Sequence, residues 1–182
     1  MKKLIVLLII PVAALVFTSC TGSERLKNMA IVQGVAFDIN GSSVTATIQY
    51  LDLTKGSGKN EEIGTNITAT VSASGGSIDA AVRKAEKKLP DKLFFGQNKV
   101  IVVSEDFENR YRAKLRDYLV KNTESRPDVL IMKCRGKAAD IINTAQKHTR
   151  VPADSIYKQL EKNKQAVTCS DYLAGDELRY YH

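Results

Sequence analysis

Between Ser43 and Leu53 apolar and polar residues alternate, with Val44, Ala46, Ile48 and Tyr50 set against Thr45, Thr47 and Gln49. A period of two puts the apolar set on one side, so the segment predicts a strand with one buried face. The run before it, Ala30-Ile-Val-Gln-Gly-Val-Ala-Phe-Asp38, reads as another strand. Asn40-Gly41 lies between them, a dipeptide that accepts positive φ at a tight hairpin turn. A third strand is expected around Thr65 to Ala73, where Ile67, Ala69 and Val71 alternate with hydroxyl side chains. These three strands predict an antiparallel meander, with Thr54 to Glu62 as an exposed Gly/Lys/Glu loop.

After Gly75-Gly76 the period changes. Ser77 is a good N-cap, and Ile78, Ala81, Val82, Ala85 and Leu89 recur at helical spacing until Pro90. Val100 to Val103 is a short, wholly apolar strand. Ser104 then caps a long helix with Glu105 and Asp106 in its first turn, where the helix dipole favours acids. Its apolar stripe is Phe107, Tyr111, Leu115, Tyr118 and Leu119. Arg126-Pro127 breaks the chain before a strand from Asp128 to Cys134, which predicts a parallel crossover between the two strands. Helices are expected near Lys137 to Gln146 and Pro152 to Asn163. Strands first and mixed elements later make the fold class α+β, built on a mixed sheet.

The chain begins differently. Met1-Lys2-Lys3 is basic, and Leu4 to Phe17 is apolar apart from the backbone constraint of Pro11. At about 1.5 Å per residue this run reaches roughly 21 Å, short of a hydrocarbon core of about 30 Å. A basic start, a short apolar run and small residues before a cut describe a secretory signal peptide, here Met1 to Ser19. Thr18 and Ser19 are followed at once by Cys20, an order that resembles the bacterial lipobox, in which the cysteine thiol takes a diacylglycerol group. Two acyl chains anchor stably, since each buried methylene contributes about 0.8 kcal/mol. The other reading is an ordinary cleaved signal, or an uncleaved anchor, with Cys20 incidental. Cys20 is the expected lipidation site. Residues 20–29 then form the lipidated cysteine and tether, residues 30–165 the domain, and residues 166–182 the start of a linker.

Composition adds limits. The sequence has 182 residues and a formal charge of +7, of which Lys2 and Lys3 supply two. About 163 residues remain after the signal, enough for one core without disulfide staples. The basic balance fits anionic lipid headgroups or a solvated surface, and no nucleic acid is expected as a partner of an exported, tethered chain. Cys134 and Cys169 have no CxxC spacing and read as free thiols.

Candidate chemistry is sparse. Lys55-Gly-Ser-Gly-Lys-Asn60 looks like a phosphate loop, but Leu53 and Asn60 stand where that motif needs glycine and a hydroxyl residue. His148 and His182 are the two histidines, and neither has His or Cys at metal-ligand spacing. Glu61-Glu62, Glu105-Asp106 and Asp176-Glu177 read as solvated faces or helix starts. Arg83, Lys84, Lys87 and Lys88 make a basic cluster on the helix that begins at Ile78. It is the polar side of an amphipathic helix, or a face toward lipid or an acidic partner. No catalytic residue, cofactor or metal is assigned, and the expectation is a protein that is not an enzyme.

Two segments carry a resemblance. Ala30 to Asp38, shortly after Cys20, is similar to the first strand of the Ger(x)C spore germination lipoproteins. Lys92-Leu-Phe-Phe-Gly-Gln-Asn-Lys-Val-Ile-Val-Val-Ser-Glu-Asp106 resembles that family's K-L-[FY]-[FY]-G-x-x-K-[VL]-I-[VL]-[VI] run. Arg126-Pro127 and Val151-Pro152-Ala153 follow in the family's order. Thr21-Gly22 stands where the family usually has a Trp-Asp pair, and the family's C-terminal part is absent. The resemblance implies a C subunit of a nutrient germinant receptor. Such a subunit is lipid-anchored on the extracytoplasmic face of the spore inner membrane and assembles with A-type and B-type membrane subunits. A solute-binding or other extracytoplasmic lipoprotein is the alternative. In Phe94-Phe95-Gly96 the aromatics are expected to anchor the sheet, with a turn at Gly96 that a side chain would obstruct.

Overall fold

The computed structural model describes residues 29–52, 67–122, 124–144, 151–164 and 166–181. Strands β1 (Met29–Asn40) and β2 (Ser43–Leu51) pair antiparallel across a turn in which Gly41 takes φ +61°, as the Asn-Gly dipeptide demands. β3 (Thr68–Gly75) adds antiparallel to β2 and completes the meander. β4 (Lys92–Phe94) and β5 (Val100–Ser104) lie one after the other along the second edge of β1, both parallel to it. β6 (Leu130–Cys134) joins β5 in parallel, and the two-residue β7 (Val167–Thr168) joins β6 antiparallel. The result is a mixed seven-stranded sheet in the order β3-β2-β1-β5-β6-β7, with β4 also on β1. Together with the five α-helices of the described residues it makes the expected α+β fold.

Helices α1 (Ile78–Glu86), α2 (Glu105–Lys121) and α5 (Cys169–Ala174) cover one face of the sheet. α3 (Ala138–Thr144) and α4 (Pro152–Asn163) cover part of the other. β5 is buried on both sides: Ile101 and Val103 pack with α1 and α2, Val100 and Val102 with α3 and α4. That is why its sequence is a continuous apolar run. On their second face β2 and β3 form a hydroxyl ladder in which Thr45 meets Ser74 and Thr47 meets Ser72. β3 leaves its hydroxyls open there, while Thr47 and Gln49 of β2 are buried toward α3 and α4.

β1 changes sides midway. Its register slips between Val32 and Gly34, and this bulge lets Ala30 and Val32 share a face with Val35 and Phe37. The extra residue, Gln33, offers its carbonyl to the Lys99 N–H at 3.0 Å, so the irregularity stays satisfied. On the aromatic side Phe37 stacks on Phe107 at 5.5 Å, Phe107 stacks on Tyr111 at 5.4 Å, and Tyr118 meets Phe37 edge-on. The stripe read from α2 is therefore the one that packs, with Ser104 capping the helix through the Phe107 N–H.

Two expectations change. Residues 166–181 belong to the packed domain and do not lead away from it as a linker. Tyr172 is fully buried, Cys169 and Leu178 are buried, and backbone bonds join Cys169 to Val129 and Tyr181 to Lys133. Gly96 does lie where a side chain would obstruct, but the obstacle is a neighbour: a Cβ there would meet the Phe94 ring at 2.4 Å.

Candidate functional site

Polar groups buried in this domain join elements that are distant in sequence. Asp38, at the end of β1, accepts hydrogen bonds from the N–H groups of Ala138 and Ala139 at 2.7 and 3.0 Å, which caps α3. Gln49 of β2 is fully buried; its Nε2 donates to the Ile142 carbonyl at 3.4 Å and its Oε1 accepts from the Ala153 N–H at 3.0 Å. One amide thus holds both helices of that face.

On the other face Glu108 of α2 is buried and accepts from the Tyr172 hydroxyl at 3.1 Å. Its Oε1 lies 3.4 Å from Arg112 Nε, an ion-pair contact without a formed hydrogen bond. Arg116 sits over the Tyr172 ring, 5.1 Å from its centroid. Burial pushes the Glu108 carboxyl above its usual value, and the Tyr172 hydroxyl and nearby cations offset only part of that. The cluster fastens α5 to α2.

Two open grooves flank α4. One, of about 550 Å³, is lined by Arg135, Lys137, Ile141, Ile156 and Tyr181 among others. The other, of about 300 Å³, is rimmed by the Arg126–Asp128 ion pair and by Asp154, which pairs with Lys99 and Lys158. Lys99 holds the Asp154 carboxyl below its usual range, and Arg126 does the same for Asp128.

The sequence candidates fall as follows. Cys20, Lys55 to Asn60, Glu61-Glu62, His148 and His182 lie outside the described residues. Cys134 and Cys169 are free and buried. Burial, with the charges of Asp38 and Asp140, raises the Cys134 thiol to about 12, and burial raises Cys169 as well, so neither is a thiolate near neutrality. Glu105 and Asp106 start α2, and Glu177 approaches Arg112 at 3.6 Å. Among the described residues no group of three or more His, Cys, Asp or Glu side chains is placed to hold a metal ion. Arg83, Lys84, Lys87 and Lys88 are all exposed on and just after α1. Asp38, Gln49 and Glu108 were not singled out from sequence, since each partner lies far along the chain.

Fold and site define an α+β domain whose buried polar groups tie helices to a mixed sheet. The chain belongs to the spore germination proteins: the family model described as spore germination protein N-terminal domain matches residues 22–172. It is similar to the putative spore germination protein YfkR of Bacillus subtilis (strain 168), 26% identical over 162 residues, which are 86% of this chain and 42% of that protein. It is also similar to spore germination protein KC of the same organism, 22% identical over 88% of this chain and 41% of that protein. The chain therefore spans less than half the length of these relatives. No solved structure matches it.

Proposed function

We propose that this chain is a lipid-anchored subunit of a spore nutrient germinant receptor, acting by assembly with A-type and B-type membrane subunits and not by catalysis. The observation that carries this reading is the family match across residues 22–172, which spans the whole sheet and ends at the buried Tyr172. Cys20, just ahead of the matched region, is the expected site of diacylglycerol attachment. It would hold the domain on the extracytoplasmic face of the spore inner membrane. The non-catalytic part draws support from the thiols, which are buried and protonated, and from buried carboxylates that cap or fasten helices.

The test is to extract membranes of dormant spores in mild detergent, capture a tagged copy of the chain and identify what accompanies it. Recovery of a multi-spanning subunit and a second membrane subunit is expected. Capture of the chain alone, in repeated extractions that keep a known receptor intact, would overturn the assembly.

A further inference from the structure

α1 carries the most one-sided charge on the described surface. Across residues 78–92 the exposed charged side chains are Arg83, Lys84, Lys87, Lys88 and Lys92 against a single carboxylate, Asp79. Glu86 and Asp91 are partly buried, and Glu86 is turned inward, where it accepts the Leu93 N–H at 3.1 Å. Among the described residues none of the five cations has an ion-pair partner; Lys88 donates to the Ser72 carbonyl. The α4 side is different, since there Asp154 is shared by Lys99 and Lys158, and Glu161 is exposed among the lysines.

The position of this strip matters more than its charge. β3 runs to Gly75 beside Val44, and α1 then returns along the sheet. Lys92 ends that return in parallel register with Met29, the first residue of β1. Lys92 therefore sits at the end of the domain where the chain arrives from Cys20. The bond from the Leu93 N–H, in register with Ala30, to Glu86 brings the C-terminal end of α1 toward it, while Arg83 and Lys84 lie a turn further back along the helix. Eight residues, Thr21 to Asn28, separate Cys20 from Met29. Fully extended, they span at most about 29 Å. Attraction to a charged surface fades within about 8 Å at physiological salt, so only cations that come that close to the membrane feel it, and a tether this short keeps the Met29 end of the domain near it.

We propose that Arg83, Lys84, Lys87, Lys88 and Lys92 form a docking strip for an anionic lipid surface, which seats the domain with the C-terminal end of α1 toward the membrane. This rests on the anchored reading of Cys20. The strip would fix which side of the domain faces the bilayer and leave the α3–α4 side and its grooves open to protein partners.

The full lipidated chain is placed on vesicles of phosphatidylcholine alone and of phosphatidylcholine mixed with phosphatidylglycerol, and its lysines are labelled with an amine-reactive reagent and read by peptide mass spectrometry. On the mixed vesicles Lys84, Lys87, Lys88 and Lys92 should be protected at least about threefold, as expected of cations held near an anionic surface. Molar salt should remove that protection by shortening the screening length to about 3 Å. Lys158 and Lys162 of α4 should label equally on both. Equal labelling of the α1 lysines on the two vesicle types, or equal protection on α4, overturns the strip. Anchoring is scored separately, by flotation with both vesicle types and by a diacylglycerol mass on the Cys20 peptide. A chain without that lipid refutes the anchor; protection after adding the chain to mixed vesicles would still uphold the strip, and its absence would still overturn it.

Discussion

Asp38 and Ala138 stand 100 residues apart and meet at 2.7 Å, the carboxylate of a central strand capping the first turn of a helix on the sheet's second face. The same carboxylate takes the Ala139 N–H, so two helix-start donors depend on one buried side chain. Replacing it with alanine leaves both donors without that acceptor, and the expected loss is about 2 kcal/mol. Asp38→Asn keeps one acceptor oxygen and should lose less. Denaturant unfolding of the two variants checks the order; equal stability of Asp38→Ala and the parent would remove the cap from the account.

Gly75 ends β3 and meets the first turn of α1. A Cβ at this position would lie 2.6 Å from the Ala81 nitrogen and 2.8 Å from the Ala80 carbonyl carbon, both of them backbone atoms. Neither can yield by a rotamer change, so Gly75→Ala must push the helix off the sheet. The expected cost is about 3 kcal/mol. Gly76, with open space around its Cβ position, is the control: Gly76→Ala should leave thermal unfolding nearly unchanged. Similar midpoints for the two variants would contradict the close approach.

What was legible in the sequence was whatever carries a period. The alternation of β2, the helical spacing of α1 and the aromatic stripe of α2 each name the face that packs. β4 and β7, of three and two residues, are too short for any period. The short helix α5 is fixed by Tyr172 reaching Glu108, 64 residues earlier, and Thr168 alone does not distinguish its start from a loop. That is why the region after 165 reads as a linker until its contacts are seen. The polar anchors Asp38 and Gln49 were hidden for the same reason, because their partners sit 93 to 104 residues away. The basic cluster on α1 was visible as charge. That Lys92 continues it to the side of Met29 was not, since that follows from the pairing of β4 with β1.

Glu108 gives a pH dependence whose sign is fixed by burial. Its folded carboxyl binds protons more readily than its unfolded one. The stability it contributes is therefore complete below the ordinary glutamate value of 4.5 and falls as pH rises through the higher folded value. Asp128 and Asp154 act oppositely, since their lowered values cost stability as pH falls. The difference between the parent and Glu108→Gln isolates the glutamate. Glutamine still accepts from Tyr172 and carries no charge, so the variant should gain on the parent as pH rises from acid to neutral. Denaturant unfolding of both proteins across that range measures the gap. A stability difference that stays flat with pH would sink this reading.

Cys134 offers a chemical check on packing. Only 2% of it is exposed, and its thiol is held protonated up to about 12. Thiolate is the reactive form, so an aromatic disulfide reagent at mildly alkaline pH should modify Cys134 and Cys169 only as fast as the domain opens. Both should react at once in denaturant. Immediate labelling of either under native conditions would show that the region around β6 or α5 is looser than described.

Cys20 is the residue on which the proposed location turns. If its thiol carries the diacylglycerol group, Cys20→Ala removes the acceptor atom and no neighbouring side chain replaces it, since Thr18, Ser19 and Thr21 offer only hydroxyls. The variant should stay unprocessed by lipoprotein signal peptidase, show no lipid mass, and keep Met1 to Ser19 attached. The parent should appear as a shorter, acylated chain beginning at Cys20. Two acyl chains hold a protein far more firmly than one, so alkaline washing of membranes should leave the parent bound. Intact-mass measurement of both proteins from the same expressing cells decides the matter. If Cys20→Ala still matured and gained lipid, the anchor would have to lie elsewhere, and the domain's placement beside the membrane would lose its stated cause.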